Sequence, residues 1–263
     1  MREIIKSQVF QLKRDKLIWI IFGSIAAVML YLMVMKWFFI PKDCSGSMFA
    51  IEFEHDYYCV LFVMLSAVYF MGRDYVDRTI HLDVMYGYDR KLVFWGRVLP
   101  TLIWTMITSI ILSMLVPVVS TILWGWGDKI TITEFLYRLS IYGFVIFRVI
   151  SVMILLVVVT GSLTKSYILG VLLGYVSYNM IKNIFYRYPA KNYIPMFGVK
   201  SEIFTFESYH VHHINGEDEH FYEYILSGNE AFKIAAISVL IGIICLSIAA
   251  HYFKIQDINE GNN

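Results

Sequence analysis

Apolar residues fall in long unbroken runs along this chain, not in alternation. Six runs stand out: Leu17–Phe39, Tyr57–Gly72, Val98–Trp124, Phe135–Thr160, Tyr167–Ile181 and Ala231–Tyr252, together about half of the 263 residues. A helix needs roughly 20 apolar residues to cross the hydrocarbon layer, and only helices and closed barrels satisfy their own backbone there. Unbroken runs exclude the alternating strands of a barrel. The pattern predicts an all-α integral membrane protein, with six transmembrane helices in a single domain spanning 1–263. The second and fifth runs are short for a crossing, which calls for extension into polar flanks such as Phe49–Asp56 or for local thinning of the bilayer. Pro100 and Pro117 predict kinks in the third helix, tolerated where neighbours satisfy the freed carbonyls.

Composition agrees. The chain is 58% hydrophobic, 17% aromatic and 16% charged, against roughly 25% charge in an average soluble domain. Soluble cores of this size cannot hold so many apolar residues, which excludes an ordinary cytosolic enzyme, a disordered chain and a disulfide scaffold. A net charge of +1 provides no field for nucleic acid. Cys44, Cys59 and Cys245 are odd in number and scattered, and read as lone thiols. The charged lead Met1–Lys16 has no cleavage pattern after its apolar run, so it reads as an uncleaved anchor. With the N-terminus inside, Arg2, Lys6, Lys13, Arg14, Lys16, Arg73, Arg78, Arg90, Lys91, Arg97, Lys165 and Lys254 all lie on the cytoplasmic side, near run ends. That bias favours both termini in the cytoplasm. Lys182, Arg187, Lys191 and Lys200, in one long outer loop, weakly oppose it.

Three segments lie outside the runs. In 1–16, Met1, Ile5, Val9 and Leu12 share a helical face beside Arg2, Lys6 and Lys13, with Phe10 off the stripe. This suits an interfacial helix on lipid, or simply the positive flank of an anchor. Between runs two and three, 73–91 is too long for a tight hairpin. Val76, Ile80 and Val84 recur at helical spacing, beside a stripe of Tyr75, Thr79, Leu82 and Tyr86. Asp74 and Asp77 fit a first turn and Gly87 fits a stop. The segment reads as one short cytoplasmic helix whose exposed apolar and aromatic residues need a partner; a bare connecting loop is the alternative. The third segment, 182–230, is an outer insert rich in aromatics, which favour the interface.

The order of residues after the second run resembles that in permease subunits of type-2 ABC exporters of the bacteriocin and lantibiotic-immunity kind. The elements are acidic Asp74, the step Arg78-Thr79-Ile80, then Gly87 and Arg90, with Arg97 ahead of the third run. The family usually has Glu where Asp74 stands and Gly or Thr near Arg78. The resemblance extends to the layout: an interfacial helix, six crossings, a cytoplasmic coupling helix and an extracellular insert before the last crossing. It implies a multi-pass subunit of a bacterial cell membrane that exports a peptide or amphipathic toxin. A second permease, identical or paralogous, and a separate ATP-binding cassette ATPase would complete the exporter. The ATPase would hold ATP and Mg and dock on Asp74, Asp77, Arg78, Thr79, Ile80, Leu82, Tyr86, Gly87 and Arg90. This chain has no phosphate-cradling G-x-x-x-x-G-K-[ST] loop, so no cofactor of its own is expected. The rival reading is a membrane scaffold or sensor that binds a regulatory protein through 73–91.

Other residues invite chemistry. His210, His212, His213 and His220, with Glu217, Asp218 and Glu219, could suit zinc or copper, but the spacing fits no standard motif and a solvated loop is the plainer reading. Arg148 lies midway along the fourth run, where a charge faces the protein interior or a wet cavity; a pathway or subunit contact competes with snorkelling. Gly170 and Gly174 form a small-xxx-small pair, a dimer seam by the resemblance or an intramolecular contact. His81 and His251 are too isolated to support an enzyme.

Overall fold

The computed structural model describes residues 2–39, 44–52, 55–77, 79–172, 208–214, 217–223 and 226–255; at 51–52, 55–58, 81, 208–214, 217–223 and 230 it describes the backbone only. In chain order the elements are α1 (Arg2–Arg14), α2 (Lys16–Phe39), α3 (Gly46–Glu52), α4 (His55–Val76), α5 (Thr79–Met85), α6 (Arg90–Trp124), α7 (Ile132–Thr160), α8 (Leu163–Leu172), β1 (Ser208–Ile214), β2 (Glu217–Glu223) and α9 (Gly228–Ile255). Among the described residues five helices, α2, α4, α6, α7 and α9, are long and apolar enough to cross a membrane, and α8 is a shorter apolar helix. The fifth run begins earlier than expected, at Leu163, and its part from 173 to 181, with Gly174, lies outside the described residues.

α7 forms the centre. Tyr142, Val145, Ile146, Val149, Ile150, Met153, Ile154 and Val157 are buried at alternating spacings of three and one, the rhythm of a helix enclosed by neighbours. α9 and α4 pack most extensively on it, and α6 packs on α4. α2 buries only a stripe, Ile18, Ile25, Ala26, Met29 and Met33, and turns Ile20, Val28, Tyr31 and Phe38 outward. Apolar side chains gain little by leaving lipid for protein, so such a bundle depends on close packing and polar contacts. Two glycines show the closeness. A Cβ on Gly96 would meet Ile4 Cγ2 at 2.9 Å, seating α1 on α6, and one on Gly242 would run into the Phe147 ring, seating α9 on α7.

The two ends of the bundle are fixed differently. At the end away from α1, the Gly46 and Ser47 amides donate to the carbonyls of Gly125 (2.9 Å) and Trp126 (2.6 Å). Glu134 Oε1 there accepts from Arg138 Nε (2.9 Å) and from the Leu226 amide (3.1 Å), which ties the start of α9 to α7. At the α1 end, Arg90 Nη1 donates to the Lys254 carbonyl at 2.8 Å and the Phe94 and Phe253 rings meet at 5.6 Å.

Several expectations are corrected. α1 buries Ile4, Gln8 and Leu12, while Ile5 and Val9 are only half-buried; Gln8 turns inward because a carboxylate awaits it. The segment 73–91 is not one helix. α4 runs on through Val76, so Asp74 belongs to the last turn of α4 and not to the first turn of a new helix, and α5 covers only Thr79–Met85. α6 starts at Arg90, eight residues before Val98, because Asp89 caps it, its side chain accepting from the Lys91 amide at 3.2 Å. The two positions of the expected kinks, Pro100 and Pro117, both lie inside α6. The histidine stretch pairs as two antiparallel strands, with His212 opposite Glu219 and His213 opposite Asp218.

Candidate functional site

At the α1 end, four helices converge on one guanidinium. Arg97 lies two turns into α6 and is buried. Its Nη1 sits 2.7 Å from Asp74 Oδ1 on α4, and its Nη2 sits 2.5 Å from Asp83 Oδ2 on α5. Nε adds a second bond to the same Asp83 oxygen at 3.1 Å. Nη1 also donates to Thr79 Oγ1 (3.1 Å) and to Gln8 Oε1 (3.5 Å). Gln8 Nε2 in turn donates to Asp74 Oδ2 at 3.2 Å, and the Thr79 hydroxyl has the Asp74 carbonyl at 3.2 Å as an acceptor. Asp74 is only 3% exposed, so its charge is tolerable only because a cation and two polar side chains surround it.

A second cluster stands beside the first. Asp15, between α1 and α2, caps α2 by accepting from the Leu17 amide at 3.0 Å. Its other oxygen accepts from the Tyr69 hydroxyl at 3.0 Å and from Arg73 Nη1. Arg73 Nε donates to Asp77 Oδ2 at 3.0 Å. The last two turns of α4 therefore hold the α1–α2 elbow through Asp15 and α1 itself through Gln8. All these carboxylates are engaged by arginine, which makes the arrangement a mechanical joint and not an acid–base pair.

The joint presents α5 in a fixed pose. Ile80 is 2% exposed, while Leu82 is 48% and Met85 and Tyr86 are each 80% exposed. Leu82, Met85 and Tyr86 fall at i, i+3 and i+4, one helical face, with Ile80 on the opposite side. Val76 and Tyr88 are exposed at either end of the same stretch. Gly87, at φ +87°, ends α5, and its amide donates to the Val84 carbonyl at 3.0 Å. That left-handed conformation favours glycine.

Of the residues singled out from sequence, Asp74, Thr79 and Arg97 meet in the joint, and Asp77 joins the second cluster. Ile80 faces inward, Leu82 and Tyr86 face outward, and Gly87 makes the turn. Arg90 binds the end of α9 instead of the joint. Arg78 lies outside the described residues, as do the side chains of His210, His212, His213 and His220. Among the described side chains no three His, Cys, Asp or Glu gather as metal ligands. Gly170 packs against Met153 of α7, whose Sδ and Cε would lie 2.8 Å from an added Cβ. Asp15, Gln8, Tyr69, Arg73 and Asp83 are the members that sequence reasoning missed. Gln8 and Asp74 are 66 positions apart, and nothing in the pattern links them; only Gln8, polar on the inward face of α1, carried a hint.

Compared with known proteins, the chain matches no family model and no curated protein.

Proposed function

We propose that this chain is the permease subunit of an ATP-driven exporter of the type-2 ABC class. In this reading it crosses a bacterial cell membrane six times, with both termini in the cytoplasm. It lines the path of a peptide or amphipathic toxin, pairs with a second permease, and takes its motion from a separate ATPase that binds ATP and Mg. The observation that supports it is the outward Leu82, Met85 and Tyr86 face, on a short helix braced by Arg97 between the ends of two long apolar helices. An apolar and aromatic surface of this kind favours a protein partner, and its bracing suits transmission of a push.

The test is purification from the native membrane in mild detergent, followed by an ATPase assay. An ATP-binding cassette protein is expected with the wild type and is expected to be lost from L82D/Y86D, whose thermal unfolding stays near that of the wild type because both positions are exposed. If no such ATPase accompanies the wild type, or if it binds L82D/Y86D equally well, the exporter reading falls. A different cytoplasmic protein, lost from the same variant, would instead favour a scaffold or sensor.

A further inference from the structure

Halfway along the bundle the joint's logic is inverted, with a buried cation and no counter-charge among the described residues. Arg148 is 4% exposed, and its Nε has no hydrogen-bond partner among the described residues. It lies within about 3 Å of the midpoint of α7, taking 1.5 Å per residue. The only acidic residues on the five long helices are Asp56, Asp74, Glu134 and Glu230, each within three residues of a helix end. No acidic residue occurs anywhere from 135 to 201. A second copy of this chain would bring the same five long helices, with no acid away from their ends. Lipid phosphates lie roughly 15 Å away, at the edge of the hydrocarbon layer.

Three hydroxyls stand within about a turn and a half of Arg148 along the bundle. On α6, the buried Thr101, Thr108, Ser113 and Ser120 each donate to a carbonyl three or four residues earlier. The buried Thr105 and Ser109 do not: their oxygens have no partner among the described residues, and the same is true of Ser238 on α9. Fifteen residues along each helix from the Phe94–Phe253 contact, Ser109 and Ser238 stand level with one another. The Gly242–Phe147 contact places Arg148 five residues, about 7.5 Å, from Ser238 along the bundle. A helical arginine leans toward the N-terminus of its helix, which here is toward Ser238.

We propose that Arg148, with Thr105, Ser109 and Ser238, forms an intramembrane site for a single anionic group of carboxylate size, supplied by a ligand from outside the chain. A guanidinium and hydroxyl donors suit a carboxylate, and an intramembrane charge marks a substrate or ion path more often than a packing feature. The inference names a ligand class for the path proposed above and rests on that reading only in treating the ligand as cargo. Binding is measured without any ATPase, so loss of docking and loss of anion binding are separate results.

The probe is radiolabelled dodecanoate, equilibrated with the full chain in nanodiscs of zwitterionic lipid, with empty nanodiscs subtracted. Saturable binding of about one per chain is expected, weakened more than about tenfold in R148Q and largely kept in R148K. Dodecanol and dodecyltrimethylammonium are expected not to compete. Displacement by millimolar nitrate would assign the site to a free small anion, and resistance to nitrate would assign it to the headgroup of an amphiphile. Equal binding by R148Q and the wild type, or equal competition by dodecanol, would overturn the proposal. Should R148Q fail to fold, T105V/S109A, which nearly preserves side-chain volume, carries the same comparison.

Discussion

Replacing Arg97 with Met removes the cation from the joint while keeping the length of its stem. At 2.7 Å from Asp74 and an effective dielectric near 20, the gross attraction is about 6 kcal/mol. Part of this offsets the desolvation of both groups, so the pair as a whole contributes much less. The variant loses more than that net value, because Asp74 stays buried without its counter-charge; breaking one side of a buried pair costs about 3–5 kcal/mol. For a chain of this size that corresponds to a fall of roughly 6–20 °C in melting temperature, readable by thermal unfolding in detergent. The companion variant is D74N/R97M. Asparagine has no charge to strand and still offers an oxygen to Gln8 and Thr79, so the double substitution should recover at least half of the loss. If R97M melts within about 2 °C of the wild type, or if the double variant is as destabilised as the sum of its singles, the buried charge pair does not hold the joint and the reasoning is wrong.

Two further outcomes follow from packing. Ile80→Ala should cost about 2–5 kcal/mol, as for a buried aliphatic side chain, while Leu82→Ala on the exposed face should stay within about 0.5 kcal/mol; equal effects in urea or thermal unfolding would refute the assigned orientation of α5. Gly242→Ala should cost about 1–3 kcal/mol because its methyl meets the stiff Phe147 ring, whereas Gly170→Ala meets the flexible end of Met153 and should cost under about 1 kcal/mol. Thermal unfolding that ranks them the other way would contradict the packing of α9 on α7.

The long helices were legible because lipid imposes a length and an apolar composition that few other structures share. α2 follows its run almost residue for residue. α6 does not, because the sequence rule marks where apolar residues begin, and the helix begins where Asp89 can cap it. Its first two turns carry Arg90, Lys91 and Arg97, which a hydropathy reading assigns to a loop. The same limit split 73–91. Periodicity finds the helical character of Val76, Ile80 and Val84, but it does not see that α4 continues to Val76 and that the chain turns before Thr79. The joint was the least legible feature. Its members Gln8, Asp15, Asp74, Asp83 and Arg97 are ordinary polar residues spread over four helices and the α1–α2 elbow, and only tertiary packing makes them one cluster. Arg148 was conspicuous as a charge inside an apolar run, yet Thr105, Ser109 and Ser238, buried without partners among the described residues, look like routine hydroxyls in a membrane helix.

The joint decides whether α5 can act as a lever or only as a tether. The covalent path from α5 to α6 is the short turn from Tyr86 to Asp89, with Gly87 at its bend, and by itself such a turn lets a seven-residue helix swing. A second connection, from Asp83 to Arg97, closes a ring with that turn, and a closed ring does not hinge at one glycine. Arg97 passes the constraint to α4 through Asp74, and Gln8 passes it to α1. A force on Met85 or Tyr86 therefore reaches α4, α6 and α1 together. The Arg97–Asp74 half of this linkage is buried, so added salt screens it much less than a surface pair. Arg73 and Asp77, bridged at the exposed edge, are screened more. The rigidity of the α5 mounting thus resides in the inner pair, and the outer pair only trims the edge of α4.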